Sequence, residues 1–251
     1  MTLLAHISDL HLNGTGRGAE RVSRVMDQLR KLPQPPDALL VTGDIADHGE
    51  PAEYQAAAQL LTASFPVLAC PGNRDARGAL RTGLLGAPDS GAPVNHGYRI
   101  GELTVLMCDS TIPGRDDGRL DAATLEWIDA ELASAGRAAP AVLAFHHPPV
   151  RVHHPLPDSV PLTNPGELAA LLGRHPQVIA ILGGHAHTAA ASLFAGRPVL
   201  LAPAVTWTLV VPVDPGQLAD QAADPGFALH VMTGGQLTTH FRTVPASDQA
   251  G

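Results

Sequence analysis

Leu3-Leu4-Ala5-His6-Ile7-Ser8-Asp9-Leu10-His11 passes from an apolar run directly into a polar cluster, and the same join recurs along the chain. Apolar runs at 3–7, 38–41, 66–70, 103–108, 141–145 and 178–182 are rich in Val, Leu and Ile, the composition of strands buried on both faces. Helical patterns separate several of them. Residues 19–32 place Val22, Val25, Met26, Leu29 and Leu32 at helical spacing, 51–63 opens with Pro51 at a first helical position, and 120–135 and 165–172 read the same way. Strands alternating with helices predict an α/β sheet with helices on its faces. From residue 189 the pattern changes to short strands at 192–194, 199–201, 207–213, 227–233 and 237–242, separated by Gly and Pro turns, which predicts an antiparallel second sheet. The simplest assembly is a two-sheet sandwich flanked by helices. Stretches 87–97 and 148–165 lack periodicity and read as loops.

The chain has 251 residues, 45% of them hydrophobic, enough for a sizeable core. We read residues 1–245 as one domain and the small, polar stretch 246–251 as a disordered tail. With 24 acidic against 16 basic residues the net charge is −8, which disfavours a broad grip on a nucleic-acid polymer or an anionic membrane. A small anionic substrate is compatible if metals reverse the local field. Cys70 and Cys108 lie inside or at the end of apolar runs, which argues against a disulfide framework and fits a reducing cytoplasm. The first residues show no secretory pattern, and no apolar run approaches the roughly 18 residues of a membrane span. Several of the 13 histidines fall in pairs or alternate positions at the ends of apolar runs, the first hint of metal chemistry.

Each strong polar cluster follows an apolar run: Ser8-Asp9-Leu10-His11, Gly43-Asp44, Gly72-Asn73-Arg74-Asp75, His146-His147-Pro148-Pro149 and Gly183-Gly184-His185-Ala186-His187. In an open α/β sheet ligands bind beyond the carboxyl ends of the strands, so these clusters are expected to converge. Asp9 and His11 are two apart, as are His185 and His187; in an extended chain each pair projects to one side and can close on one centre. Singly, each has a plainer explanation: a solvated or hydrogen-bonded histidine, an Asp capping the next turn, an Asn in a turn. Jointly they carry the argument.

Taken in order, Asp-x-His, Gly-Asp, Gly-Asn-x-Asp, His-His-Pro-Pro and Gly-His-x-His resemble the signature of the calcineurin-like metallophosphoesterases, across residues 3–206. Gly43-Asp44-Ile45-Ala46-Asp47-His48-Gly49-Glu50-Pro51 with Tyr54, and Asp109-Ser110 before Pro113-Gly114, are similar to segments of the bacterial class III cyclic-nucleotide phosphodiesterases. The resemblance implies an α/β fold, a four-layer α-β-β-α sandwich of two mixed sheets flanked by helices. It implies a binuclear centre with Asp9, His11 and His187 on one metal, Asn73, His146 and His185 on the other, and Asp44 bridging both. The implied substrate is a small phosphodiester, 3′,5′-cyclic nucleotides first. A phosphomonoester or glycerophosphodiester is the alternative, and an inactive binding scaffold the reading from another class. A homodimer, with Trp207 and Thr208 near its interface, is a further implication. The donor set agrees: two carboxylates, an amide and four imidazoles exceed one tetrahedral zinc and, without a thiolate, suit two ions of Mn or Fe, with Zn also accommodated. Between two such metals a water loses a proton near neutral pH and attacks phosphorus.

One position departs from that pattern. Where the family has His after the Asn, this chain has Arg74. The family His contacts the phosphoryl group and is a candidate proton donor, whereas a guanidinium, with a pKa above about 12, serves charge and not proton transfer. Arg74 is therefore expected to hold phosphoryl oxygens, with solvent exposure or a pair with Asp75 as the plainer alternative. Asp47, Asp75 and His147 are expected beside the ligands or the substrate, and His48 in proton transfer or in a solvated loop. His153 and His154 are read as solvated loop histidines, and His96 is given no role.

Overall fold

A computed structural model describes residues 1–245; the tail expected at 246–251 lies outside the described residues. Strands β1 (Thr2–Ile7), β2 (Ala38–Thr42) and β3 (Val67–Cys70) run parallel, with helix α1 (Gly16–Arg30) between the first two, α2 (Pro51–Leu60) between the next two and α3 (Arg77–Gly83) after the third. Ile7 stands beside Val41 and Thr42 beside Cys70, so all three strands end at one level. A second sheet then forms from β4 (His96–Ile100), β5 (Leu103–Met107), β6 (Ala141–Ala144), β7 (Val178–Gly183), β8 (Ala190–Phe194) and β9 (Arg197–Leu201), in the spatial order β4-β5-β6-β7-β9-β8. Helix α4 (Ala122–Ala135) joins β5 to β6, and α5 (Pro155–Ser159) and α6 (Pro165–Arg174) join β6 to β7. Strands β10 (Thr208–Asp214) and β11 (Gln217–Asp220) pair as a separate hairpin. Strands β12 (Gly226–Thr233) and β13 (Gln236–Thr243) return to the first sheet, giving the order β13-β12-β1-β2-β3.

Side-chain alternation along the strands makes the layers. Ala5 and Ile7 of β1 and Leu39 and Val41 of β2 face Val22, Val25, Met26 and Leu29 of α1, while Leu4, Ala38 and Leu40 face the other way. Those inner residues meet Leu103, Val105, Met107, Val142 and Ala144 of the second sheet. Leu106, Leu143 and Phe145 point outward again, against Ile128 and Leu132 of α4 and Leu168 and Leu172 of α6. Three apolar cores between four layers are the expected α-β-β-α sandwich, with mixed sheets.

The second half of the chain corrects one expectation. The strands after residue 189 do not form a sheet of their own: β8 and β9 extend the second sheet, β10 and β11 stand apart, and β12 and β13 complete the first through an antiparallel pairing of β12 with β1. Two stretches read as loops also hold structure, since β4 begins at 96, in the last two residues of the first, and α5 takes up 155–159 of the second. Their exposed, alternating or Pro-rich residues carry little apolar periodicity, and pairing with β5 is what orders β4.

Candidate metal centre

The five polar clusters meet where the parallel strands end. Asp9 and His11 follow β1, Asp44 follows β2, Asn73 follows β3, His146 follows β6, and His185 and His187 follow β7. The chain does not stay extended there. Asp9, His11, Asp44, His185 and His187 all have positive φ, between 45° and 66°. That left-handed region is costly for residues with a Cβ, and five instances converging on one point mark strain held for a site. Asp9 and His11 still come together, through these kinks and not through strand alternation, but the second pair divides: His187 joins Asp9 and His11, and His185 turns to His146. Two glycines let the loops close: a Cβ on Gly72 would stand 2.9 Å from the Asp44 carboxyl carbon, and one on Gly184 would run into Ser8 Oγ.

Hydrogen bonds outside the cluster set the protonation inside it. The His146 Nδ1–H donates to the Thr42 carbonyl at 2.7 Å, so Nε2 presents a lone pair. His185 donates Nε2–H to the Val160 carbonyl at 3.1 Å, leaving Nδ1 bare, and His187 donates Nδ1–H to the Trp207 carbonyl at 3.1 Å, leaving Nε2 bare. His11 donates Nδ1–H to Asp47 at 2.9 Å. The bare atoms face one another: His11 Nε2 and His187 Nε2 at 3.1 Å, His146 Nε2 and His185 Nδ1 at 3.2 Å, and His146 Nε2 and Asn73 Oδ1 at 3.1 Å. Asp9 Oδ1 lies 3.4 Å from His187 Nε2; Asp44 sends Oδ2 to within 3.5 Å of His11 and Oδ1 to within 3.5 Å of His146. Acceptors crowded on acceptors repel unless a cation lies among them. A proton on His11 relieves one contact and a turn of the Asn73 amide would relieve another, but the His146 Nε2–His185 Nδ1 contact has no proton of its own.

The electrostatics agree. Burial raises Asp9 to about 7 against the pull of His11, and raises Asp44 to about 8, again against His11 and with Asp9 adding repulsion. Burial lowers His11, but its bond to Asp47 and the charges of Asp44 and Asp9 carry it above its ordinary value. Burial holds His146, His185 and His187 low, so they stay neutral as ligands must. Among the described residues, the buried groups able to hold a metal are Asp9, His11, Asp44 and His187, and His146, His147 and His185. In the second group both nitrogens of His147 are occupied, Nδ1 by the Ser110 hydroxyl at 2.8 Å and Nε2 by the Asp116 carbonyl at 3.1 Å; Asn73 Oδ1 is the bare donor there.

The other sequence-derived residues divide. Asp75 accepts from the backbone N–H of Gly72, Ile45 and Ala46 and from the Tyr54 hydroxyl, so it fastens the Asn73 loop to the Asp44 loop instead of pairing with Arg74. Arg74 donates its backbone N–H to Asp44 at 2.9 Å and, exposed, lines a cleft of about 280 Å³ over the two groups. His48 bonds Glu53 at 2.9 Å through Nδ1 and lines a second cavity with Asn73 and Arg74. His153 is exposed, but His154 is buried: it caps α5 and holds the Leu218 carbonyl of β11 at 3.1 Å. Sequence reasoning missed the walls of the cleft, Leu156, Pro157, Val160, Trp207 and Leu209. Trp207, expected near a dimer interface, stacks on His187 with ring centroids 3.8 Å apart. Its position just before a strand was the available signal.

Comparison with known proteins places this arrangement. The Calcineurin-like phosphoesterase profile matches residues 2–189. The chain belongs to that family. It is 36% identical over 221 residues to a cAMP/cGMP dual specificity phosphodiesterase of Mycobacterium tuberculosis, a match spanning 82% of this chain and 68% of that one. It is also 36% identical over 197 residues to a glycerophosphodiester phosphodiesterase of Enterobacter lignolyticus, covering 74% of this chain and 70% of the relative. Among solved structures, a dimetal phosphatase from Danio rerio superposes with a TM-score of 0.70 at 14% identity, over 97% of this chain and 96% of that one, a likeness of fold.

Proposed function

We propose that this chain is a binuclear metal-dependent phosphodiesterase acting on small phosphodiesters, 3′,5′-cyclic nucleotides first. The observation that carries the reading is the ring of bare acceptor atoms described above, facing one another beside the exposed guanidinium of Arg74. Asp9, His11 and His187 would hold one ion, Asn73, His146 and His185 the other, with Asp44 shared. A set of nitrogen and oxygen donors without thiolate favours Mn or Fe, with Zn accommodated. When bound, the ions would activate a water for attack on phosphorus and neutralise phosphoryl oxygens. Thr42, Val160, Trp207 and Asp47 orient the histidine rings by accepting their outer N–H groups. Arg74 would bind two phosphoryl oxygens and stabilise the charge that grows on them. Leu156, Pro157, Trp207 and Leu209 give the cleft an apolar wall suited to a nucleobase or similar headgroup.

The relatives named for cyclic nucleotides and for glycerophosphodiesters support two substrate readings, and the apolar wall favours the first. Metal analysis combined with kinetics on a panel of mono- and diesters tests the proposal, with Asn73→Ala as control. Two bound ions and preference for cyclic diesters are expected, and loss of one ion with most activity in the control. Full activity in Asn73→Ala would sink the two-metal scheme; bound metal without turnover of any ester would favour a binding scaffold. Among the described residues no helix is long and apolar enough to cross a membrane. The buried thiols of Cys70 and Cys108 suit the cytoplasm. A homodimer is the assembly we expect, with Val211 and Val213 of the hairpin as exposed apolar surface for it; sedimentation velocity tests this.

A further inference from the structure

Arg74 leaves one task without a residue. Under the phosphodiesterase reading an alcohol departs with its electron pair, and a guanidinium has no proton to spare for it. A second cavity, of about 520 Å³, begins at Asn73 and Arg74 and runs past Asp75 to His48, Ser90 and Thr111. Gly49, at φ +72°, seats the His48 loop on the Arg74 segment: a Cβ there would stand 3.0 Å from Ala76 Cβ and 3.4 Å from the Arg74 carbonyl oxygen. His48 donates Nδ1–H to Glu53 Oε1 at 2.9 Å, and Glu53, 6% exposed, is itself held by the backbone N–H groups of His48 and Glu50 at 3.1 and 3.0 Å. The other nitrogen, Nε2, lies 4.0 Å from Asp47 Oδ2, beyond hydrogen-bond range. A buried carboxylate that fixes one ring nitrogen and leaves the other open to a cavity is the build of an acid–base histidine.

We propose that this cavity receives the alcohol arm of the phosphoester and that His48 donates its Nε2 proton to the departing oxygen. The proposal rests on the phosphodiesterase reading. As the P–O bond breaks, its electron pair stays on the alcohol oxygen, which takes the Nε2 proton; the neutral ring is reprotonated from solvent, to which 62% of the side chain is open. The hydrogen bond to Glu53 raises the imidazolium above its ordinary value, with the charges of Glu53, Asp47 and Glu50 adding to it. Across the cavity stand Arg74 and Arg77, which oppose this, and Asp75 and Asp89, which reinforce it.

The test compares manganese-loaded wild type, His48→Gln and His48→Gln/Arg74→His on an aryl diester, bis(p-nitrophenyl) phosphate, and on cyclic AMP. Removing a general acid costs about 10²-fold or more where the leaving oxygen is basic. His48→Gln is expected to lose that much kcat on cyclic AMP and far less on the aryl ester, to lose the alkaline limb of its pH profile, and to be partly rescued by Arg74→His. Comparing two esters on the same sample removes any contribution from misfolded protein. NMR titration of the metal-free protein should find His48 above its ordinary value and lower in Glu53→Gln. An unchanged ratio in His48→Gln, with both esters hydrolysed by wild type, overturns this proposal alone. Hydrolysis of neither ester by wild type overturns the phosphodiesterase reading, and this proposal with it.

Discussion

Arg74 brings a permanent charge to a place where the motif it resembles implies a titratable ring. Replacing it with His in a His48→Gln background should raise activity on cyclic AMP relative to an aryl diester, because the basic alkoxide gains most from a nearby proton; equal ratios with and without the replacement would remove the idea. Asp44 bears on stability. Asp9, Asp44 and His11 hold protons to higher pH when folded than when unfolded, so their contribution in metal-free protein is lost as pH rises. The buried histidines held low act oppositely, but only below about 6.5. Between about pH 6.5 and 8 the Tm of EDTA-treated protein is therefore expected to fall, less so in Asp44→Asn and not at all with Mn²⁺; a flat or rising Tm in wild type would refute this. The residues of this site were readable because carboxylates and imidazoles cluster at the ends of apolar runs. The carbonyls of Thr42, Val160 and Trp207 were not, since every residue has one and only the fold aims it.

Loop closure makes a second set of demands. Gly72 lets the β3 loop lie on the β2 loop, and a methyl there meets the Asp44 carboxyl. Gly72→Ala should destabilise the protein by ~1–3 kcal/mol and cost metal at both groups, since Asp44 faces both; differential scanning calorimetry and metal analysis check the two effects. Leu143, buried between β6 and the α4–α6 layer, should cost ~2–5 kcal/mol as Ala while metal stoichiometry stays at the wild-type value. The strands and long helices of the first half were legible because buried parallel strands are almost continuously apolar and their helices keep a clear stripe. Helix α5 was not, being five residues long with two prolines, nor was β4, whose residues are half-exposed and ordered by a neighbour.

A two-sheet sandwich could be foreseen, but not which sheet would take each late strand, because pairing across more than 200 residues leaves no local trace. Leu4 pairs with His230, so the last strands complete the sheet that the first one starts. Unfolding of residues 1–245 is accordingly expected as one calorimetric transition, and a chain ending at residue 225 should fail to fold; two separable transitions would contradict this. The cleft has a related property. Val160 and Trp207 line or adjoin it and also grip His185 and His187, while His154 ties α5 to β11. Its walls and the latches on its ligands are therefore the same parts. Any motion that widens the mouth to let product out also frees two imidazole rings to turn, so each turnover would carry a small chance of shedding an ion. Such a protein should run down during catalysis in metal-poor buffer, at a rate set by cycles completed and not by hours elapsed.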